Sequence, residues 1–184
     1  ILLKRLQYSF GLSDTVLLWF ESYLTDRTEC VLFNGTKSPT RSVEFGVPQG
    51  SVLGPQLFVL YTADLGRIAQ KHGLDAHFYA DDSQLYVFSK PGDADSAQER
   101  LLFCLDEFAR WMAVNRLKLN PAKTEFMRCS TARRNNQLSK EMIIFGGERI
   151  TPAPSVRNLG VIVDSTMSFT ANIHVNRTVS SCFY

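Results

Sequence analysis

The sequence predicts a mixed α/β fold of the α+β kind, an antiparallel sheet with helices packed on one face. Apolar residues recur at helical spacing in four stretches, residues 1–10, 13–24, 55–71 and 96–112. Between and after them lie short runs rich in β-branched and aromatic residues. Asn34-Gly35 is a strong hairpin signal. A further pair of runs, His77-Phe78-Tyr79 and Ser83-Gln84-Leu85-Tyr86, flanks a tight turn at Asp81-Asp82.

Leu2, Leu3, Leu6 and Phe10 form one face of a first helix, which Gly11 ends. Ser13 is placed to cap a second, with Val16, Leu17, Phe20, Tyr23 and Leu24 inward. Residues 29–33 read as a strand running into Asn34-Gly35. The return arm carries Pro39, which confines it to an edge or loop, and the strand pattern resumes at residues 42–45. Pro55 suits the first position of a helix reaching about Lys71, with Leu57, Phe58, Leu60, Tyr61 and Leu65 inward. Pro91-Gly92-Asp93 makes a loop, and Ser96 with Glu99 forms a capping box. The helix it opens turns Ala97, Leu101, Leu105, Phe108, Ala109 and Met112 toward a core beneath the sheet. After Lys118 the period changes. Residues 124–129, 142–145, 149–151 and 156–164 read as strands, with Gly146-Gly147 joining the middle two, and residues 130–140 read as a disordered loop.

At 184 residues, 45% hydrophobic and 21% charged, the chain has ordinary globular composition and length for one domain or a large part of one. It contains no apolar run of the length that spans a membrane and no signal-peptide layout. The chain does not begin with Met, and it reads as a piece of a longer polypeptide. Cys30, Cys104, Cys129 and Cys182 are scattered without metal-ligand spacing, the pattern of free and mostly buried thiols in a reducing compartment. His72, His77 and His174 are isolated and carry no assigned chemistry.

Charge is unevenly spread. Residues 1–114 hold 10 Lys/Arg against 14 Asp/Glu, whereas residues 115–157 hold 9 against 3. An acidic half followed by a basic stretch suits a protein that holds both cations and a phosphate backbone, although such runs are also ordinary solvated faces.

Two stretches carry chemistry. Asp81 and Asp82 repel one another, so the pair is comfortable in water or on a hard divalent cation, which prefers carboxylate oxygens. An ordinary solvated turn accounts for an isolated Asp-Asp equally well. Upstream, residues 46–55 read Gly-Val-Pro-Gln-Gly-Ser-Val-Leu-Gly-Pro. Glycines there let backbone approach a ligand closely, and Gln49 both donates and accepts hydrogen bonds. A plain strand-to-helix turn is the alternative.

Taken together, residues 46–55, Phe78-Tyr79-Ala80-Asp81-Asp82, Asn120-Pro121-Ala122-Lys123-Thr124-Glu125 and Asn158-Leu159-Gly160-Val161 resemble, in this order, the palm of reverse transcriptases. The resemblance is specifically to the non-LTR (LINE-type) retrotransposon branch. Group II intron and telomerase-like enzymes fit less well, because Val52-Leu53-Gly54-Pro55 looks LINE-like. The resemblance implies an incomplete polymerase palm over residues 1–164, with residues 165–184 starting a connection toward a thumb. It implies Asp81 and Asp82 as catalytic ligands of two Mg2+ ions, with Asp81 the surer. Pro48, Gln49, Gly50 and Ser51 would line the pocket for the incoming nucleotide and templating base. Tyr79 would help position the primer end, and Ala80 would keep the space under the nucleotide clear. Lys123, with Lys118 as competitor, would neutralise or protonate the leaving pyrophosphate. Leu159 and Gly160 would grip the primer.

The implied partners are an RNA template, a DNA primer and deoxynucleoside triphosphates, with no membrane. In the family the third carboxylate lies on a strand upstream of the helix that opens this chain, so the metal site is expected to be incomplete and the fragment inactive alone. A non-catalytic nucleic-acid-binding remnant of a decayed or domesticated element is the rival reading. No localisation signal is visible, although chemistry on chromosomal DNA requires nuclear access.

Overall fold

The computed structural model of the chain describes residues 1–48, 50–134, 139, 141–168 and 179–180. It contains two compact units, Ile1–Cys104 and Leu105–Tyr184. Among the described residues, the first combines four helices and the start of a fifth with short antiparallel strands. The second carries the end of that fifth helix followed by four strands, a mixture of helices and small antiparallel ladders consistent with an α+β fold.

In the first unit, α1 (Leu2–Phe10) buries Leu6 completely and ends at Gly11, whose left-handed φ of 67° turns its N–H back to the Gln7 carbonyl. α2 (Asp14–Leu24) follows, with Ser13 at its N-cap. The Ser13 hydroxyl donates to the Asp14 carboxylate at 2.8 Å instead of capping the helix, whose first bond runs from the Leu17 N–H to the Ser13 carbonyl. Leu17, Phe20, Tyr23 and Leu24 form the half-buried face, whereas Val16 is exposed.

The first strand run is split. β1 (Thr28–Glu29) pairs with β4 (Arg41–Ser42), and β2 (Leu32–Phe33) pairs with β3 (Thr36–Lys37) around Asn34-Gly35. Ser38 causes the break: its hydroxyl accepts the Val31 N–H at 2.9 Å, in place of a cross-strand carbonyl. The expected strand at residues 42–45 ends at Ser42: Val43 adds one more in-register bond, to the Arg27 carbonyl, and a bend at Phe45-Gly46 then turns the chain away.

α3 (Leu53–Thr62) starts two residues before Pro55, and α4 (Asp64–Lys71) continues after a single turn residue, Ala63. The Thr62 hydroxyl donates to the Phe58 carbonyl at 2.9 Å, a back-bond that competes with the helix ladder at this break. Arg5 ties the helices together. Its guanidinium pairs with Asp64 at 3.3 Å, lies over the Tyr61 ring and donates to the Tyr61 carbonyl.

β5 (Asp75–Tyr79) and β6 (Asp82–Tyr86) form a five-rung antiparallel hairpin that packs against α4. Leu57, Leu65, Ile68, Ala69 and Leu74 are buried in this unit. At roughly 1.5–3 kcal/mol for each larger side chain, they give the hairpin a fixed support.

α5 (Ala94–Val114) begins earlier than a cap at Ser96 requires. A 3-10 turn, Pro91–Asp93, winds directly into it, and Asp93 and Asp95 supply the negative charge its N-terminus favours. Its inner stripe holds Ala97, Cys104, Phe108 and Met112, with Leu101, Leu105 and Ala109 half-buried.

In the second unit, β7 (Ile143–Phe145) and β8 (Glu148–Ile150) pair through Gly146-Gly147 and bury Ile143, Phe145 and Ile150. Two expectations fail here. Residues 124–129 form no strand, only a parallel bridge between Phe126 and Pro152: the Phe126 carbonyl accepts the Ala153 N–H at 2.7 Å, and just beyond the segment Ser130 donates instead to the Ser165 carbonyl. Residues 156–164 are not one strand but a hairpin, β9 (Ser155–Asn158) and β10 (Val161–Asp164), reversed at Leu159-Gly160.

Among the described residues the strands form five separate two-stranded ladders, not one sheet. Most pair across a short local connection, where loop closure is least costly. Of the described cysteines only Cys104 is buried; Cys30 and Cys129 are exposed, against the expectation of mostly buried thiols. Gln49, His174, Cys182, part of the 130–140 loop and most of residues 165–184 lie outside the described residues.

Candidate functional site

The β5–β6 hairpin presents the paired carboxylates. Its turn is Ala80-Asp81, and Asp82 already stands on β6 opposite Tyr79. The pair therefore straddles the end of the turn, where sequence reasoning put both residues in it. Directly opposite residues share a face, so Tyr79 and Asp82 project together, followed by His77 and Gln84. The other face carries Phe78 and Ala76 toward α4: a methyl placed on Gly66 would lie 3.8 Å from the Phe78 ring. Packing one face on a helix leaves the acidic face open. Tyr79, Ala80, Asp81 and Asp82 are all exposed.

This turn differs from the other two-residue turns. Asn34-Gly35, Gly146-Gly147 and Leu159-Gly160 have positive φ at both positions, the type I′ pattern. In Ala80-Asp81 only Ala80 is positive, at φ 52°. That sign pattern belongs to type II′, which ordinarily takes glycine first. An alanine there carries about 1 kcal/mol of steric strain at the tip that holds the carboxylates.

Pro48, Gly50 and Ser51 share the loop between β4 and α3; Gln49 is outside the described residues. Gly46 and Gly50 have φ of 75° and 79°, which only glycine adopts readily. Ser51 closes the loop: its N–H donates to the Pro48 carbonyl at 3.2 Å, and its hydroxyl accepts the Gly54 N–H at 3.1 Å. The Ser51 hydroxyl thus caps α3. The sequence reading missed this role, and it also missed Arg27, which bonds the carbonyls of Phe45 and Gly46 at the mouth of the loop. A Gly-rich loop entering a helix was the available signal for the cap; nothing local marks Arg27.

Lys123, Leu159 and Gly160 stand in the second unit. Lys123 ends a 3-10 turn, Pro121–Lys123, and is exposed, as is Lys118. Beside that turn is an open cleft of about 310 Å³ between Pro121, Thr124 and Phe126 and Arg149, Ile150 and Ala153. Lys123 does not line it. Leu159 and Gly160 form the tip of the β9–β10 hairpin, with φ of 45° and 89°.

The base of that hairpin is held by Asp164. This buried carboxylate accepts the Thr166 hydroxyl, the Thr166 N–H at 2.9 Å and the Ser168 N–H at 3.3 Å. These bonds, the Thr166 hydroxyl first, hold its carboxyl below the ordinary value of 3.8. Nearby, Cys129 is exposed as a residue, yet desolvation of its thiol, and secondarily the Asp164 charge, push that thiol above 9.0.

Among the described residues no three of His, Cys, Asp or Glu gather as a metal-holding group. The hairpin offers two adjacent carboxylates, hard oxygen donors of the kind Mg2+ takes. The donor chemistry fits that ion.

The chain belongs to the reverse transcriptase (RNA-dependent DNA polymerase) family, whose model matches residues 3–163. It is 32% identical over 168 residues to the probable RNA-directed DNA polymerase from transposon BS of Drosophila melanogaster, covering 89% of this chain and 18% of that protein. It is 29% identical over 169 residues to the RNA-directed DNA polymerase from mobile element jockey of Drosophila funebris, covering 88% and 18%. A third relative, the probable RNA-directed DNA polymerase from transposon X-element of Drosophila melanogaster, is 29% identical over 162 residues, covering 86% and 17%. The chain thus spans less than a fifth of the length of these relatives. No solved structure matches it. Among the described residues, no helix is long and apolar enough to cross a membrane.

Proposed function

We propose that this chain is part of the palm of a non-LTR retrotransposon polymerase that copies RNA into DNA by two-metal nucleotidyl transfer. Residues 1–164 are the partial palm, and residues 165–184 start a connection toward a thumb. The observation that carries the reading is the β5–β6 hairpin, whose helix-backed inner face leaves Asp81 and Asp82 exposed at a strained tip beside Tyr79.

Asp81 and Asp82 hold Mg2+, with Asp81 the principal ligand. When bound, the ions supply charge stabilisation to the attacking 3′-hydroxyl and the leaving pyrophosphate. Tyr79, on the same face as Asp82, steadies the primer end, and the small Ala80 side chain leaves room under the incoming deoxynucleoside triphosphate. Pro48, Gln49, Gly50 and Ser51 line the pocket for that nucleotide and the templating base. Lys123 donates to the departing pyrophosphate, and the Leu159-Gly160 turn supports the primer strand through its backbone. The basic residues 115–157 contact the phosphates of template and primer. Two carboxylates are fewer than a two-ion site uses, so the 184-residue chain is expected to be inactive alone.

The test is primer extension on an RNA template with Mg2+. It compares this chain, a version lengthened at both ends within its parent reading frame, and the lengthened version with Asp81→Ala. Extension by the longer chain alone, abolished by the substitution, is expected. Extension by the short chain would overturn its proposed incompleteness. Nucleic-acid binding without extension in all three would make the chain a non-catalytic remnant.

A further inference from the structure

Arg27 lies just past the end of α2, 19 residues before Gly46 in sequence, yet its guanidinium joins the two regions. Nε donates to the Leu24 carbonyl at 3.0 Å, one of the acceptors a helix leaves unsatisfied at its C-terminus. Nη2 donates to the Gly46 carbonyl at 2.7 Å and to the Phe45 carbonyl at 3.2 Å. The Arg27 carbonyl in turn accepts the Val43 N–H at 2.8 Å. Four hydrogen bonds therefore converge on one half-buried residue, and each fixes either the helix end or the strand leading into residues 46–51.

Three features make this more than a surface contact. Among the described residues no carboxylate pairs with Arg27, so the charge is directed at carbonyls. The backbone before it is strained, since Asp26 sits at φ 52°. The acceptors lie where the loop begins, at Gly46, whose φ of 75° is a conformation open chiefly to glycine. A planar guanidinium presents Nε–H and Nη2–H along one edge, which spans two acceptors in fixed relative position; a lysine ammonium is a point donor on a flexible stem.

We propose that Arg27 is a positioning residue that clamps the entry of the nucleotide loop, setting the direction in which Pro48, Gly50 and Ser51 meet the incoming nucleotide. This inference rests on the reading of that loop as the nucleotide pocket. Arg27 touches no reacting atom; it acts through Gly46.

Chymotrypsin cleavage after Phe45 tests it, because the carbonyl of the scissile bond is the one Arg27 holds. Phe45 is 68% exposed and Phe88, the internal control on the same unit, is 82% exposed. The lengthened version used for primer extension is compared with its Arg27→Lys and Arg27→Met variants, with and without primer–template, Mg2+ and a complementary deoxynucleoside triphosphate. Loss of the clamp is expected to raise cleavage after Phe45 relative to Phe88 by about tenfold in both variants. The triphosphate is expected to slow that cleavage in the wild type and not in the variants. Wild-type behaviour of Arg27→Lys would overturn the clamp, since charge alone would then suffice. Faster cleavage in both variants without any triphosphate effect in the wild type would overturn the positioning role and, separately, the pocket reading. Unchanged cleavage after Phe88 shows that the unit is still folded.

Discussion

Replacing Gly54 by alanine should change sign with the residue at position 51. A methyl at Gly54 would lie 3.0 Å from the Ser51 hydroxyl and 3.3 Å from Val47 Cγ2, and Gly54 is itself buried. In the wild type three effects compete. Alanine gains up to ~1 kcal/mol of helix propensity over glycine. Displacing the Ser51 hydroxyl from the Gly54 N–H costs about 1 kcal/mol, the usual value of a helix cap. Crowding Val47 and Ser51 costs about 1–2 kcal/mol more. The sum is a destabilisation of roughly 1–2 kcal/mol. In a Ser51→Ala background the cap and the closer clash are already gone. Gly54→Ala should then stabilise by about 0.5 kcal/mol, giving a coupling of about 2 kcal/mol. Urea denaturation of the four proteins measures the cycle. Equal stabilisation by Gly54→Ala in both backgrounds would refute the claim that Ser51 and Gly54 are packed against each other to shape the loop.

Leu6→Ala empties a completely buried position and should cost about 2–5 kcal/mol in the same denaturation assay. Gly146→Ala should destabilise the second unit more than Gly147→Ala: both have positive φ, but only at Gly146 would the methyl lie 2.5 Å from Pro121 Cγ. Thermal melting of the two variants orders them. Asp164 stabilises the fold because its folded carboxyl titrates below its ordinary value of 3.8. That contribution is complete well above pH 4 or so and fades as pH falls through the lowered folded value, so Asp164→Asn should lose stability at neutral pH and converge with the wild type in acid. The same variant should bring the Cys129 thiol down, seen as alkylation at lower pH, because one cause of its upward shift is removed.

The legible features were those encoded by local chemistry. The periodic apolar faces placed α1, α2 and the body of α5; Gly11 stopped α1, and Asn34-Gly35 and Gly146-Gly147 turned their hairpins. The motif strings and their order carried the family, which the comparison with the reverse transcriptase model shows. Misreadings arose where a competing partner was distant or unusual. Ser38 breaks a strand from seven residues away, and Leu159 adopts a left-handed φ that leucine rarely takes, so a hairpin looked like one strand.

What the sequence determined by itself is therefore the place of most helices and glycine turns and the family, because these depend on residue type and short-range spacing. Only the tertiary structure decided which face Asp82 and Tyr79 share, that Ser51 caps α3, and that Arg27 reaches Phe45 and Gly46. The physical reason is directional. A hydrogen bond across 19 residues of chain, or a strand register, depends on where the backbone returns, and burial of residues such as Leu57 and Leu65 sets that return rather than the residues that make the bond.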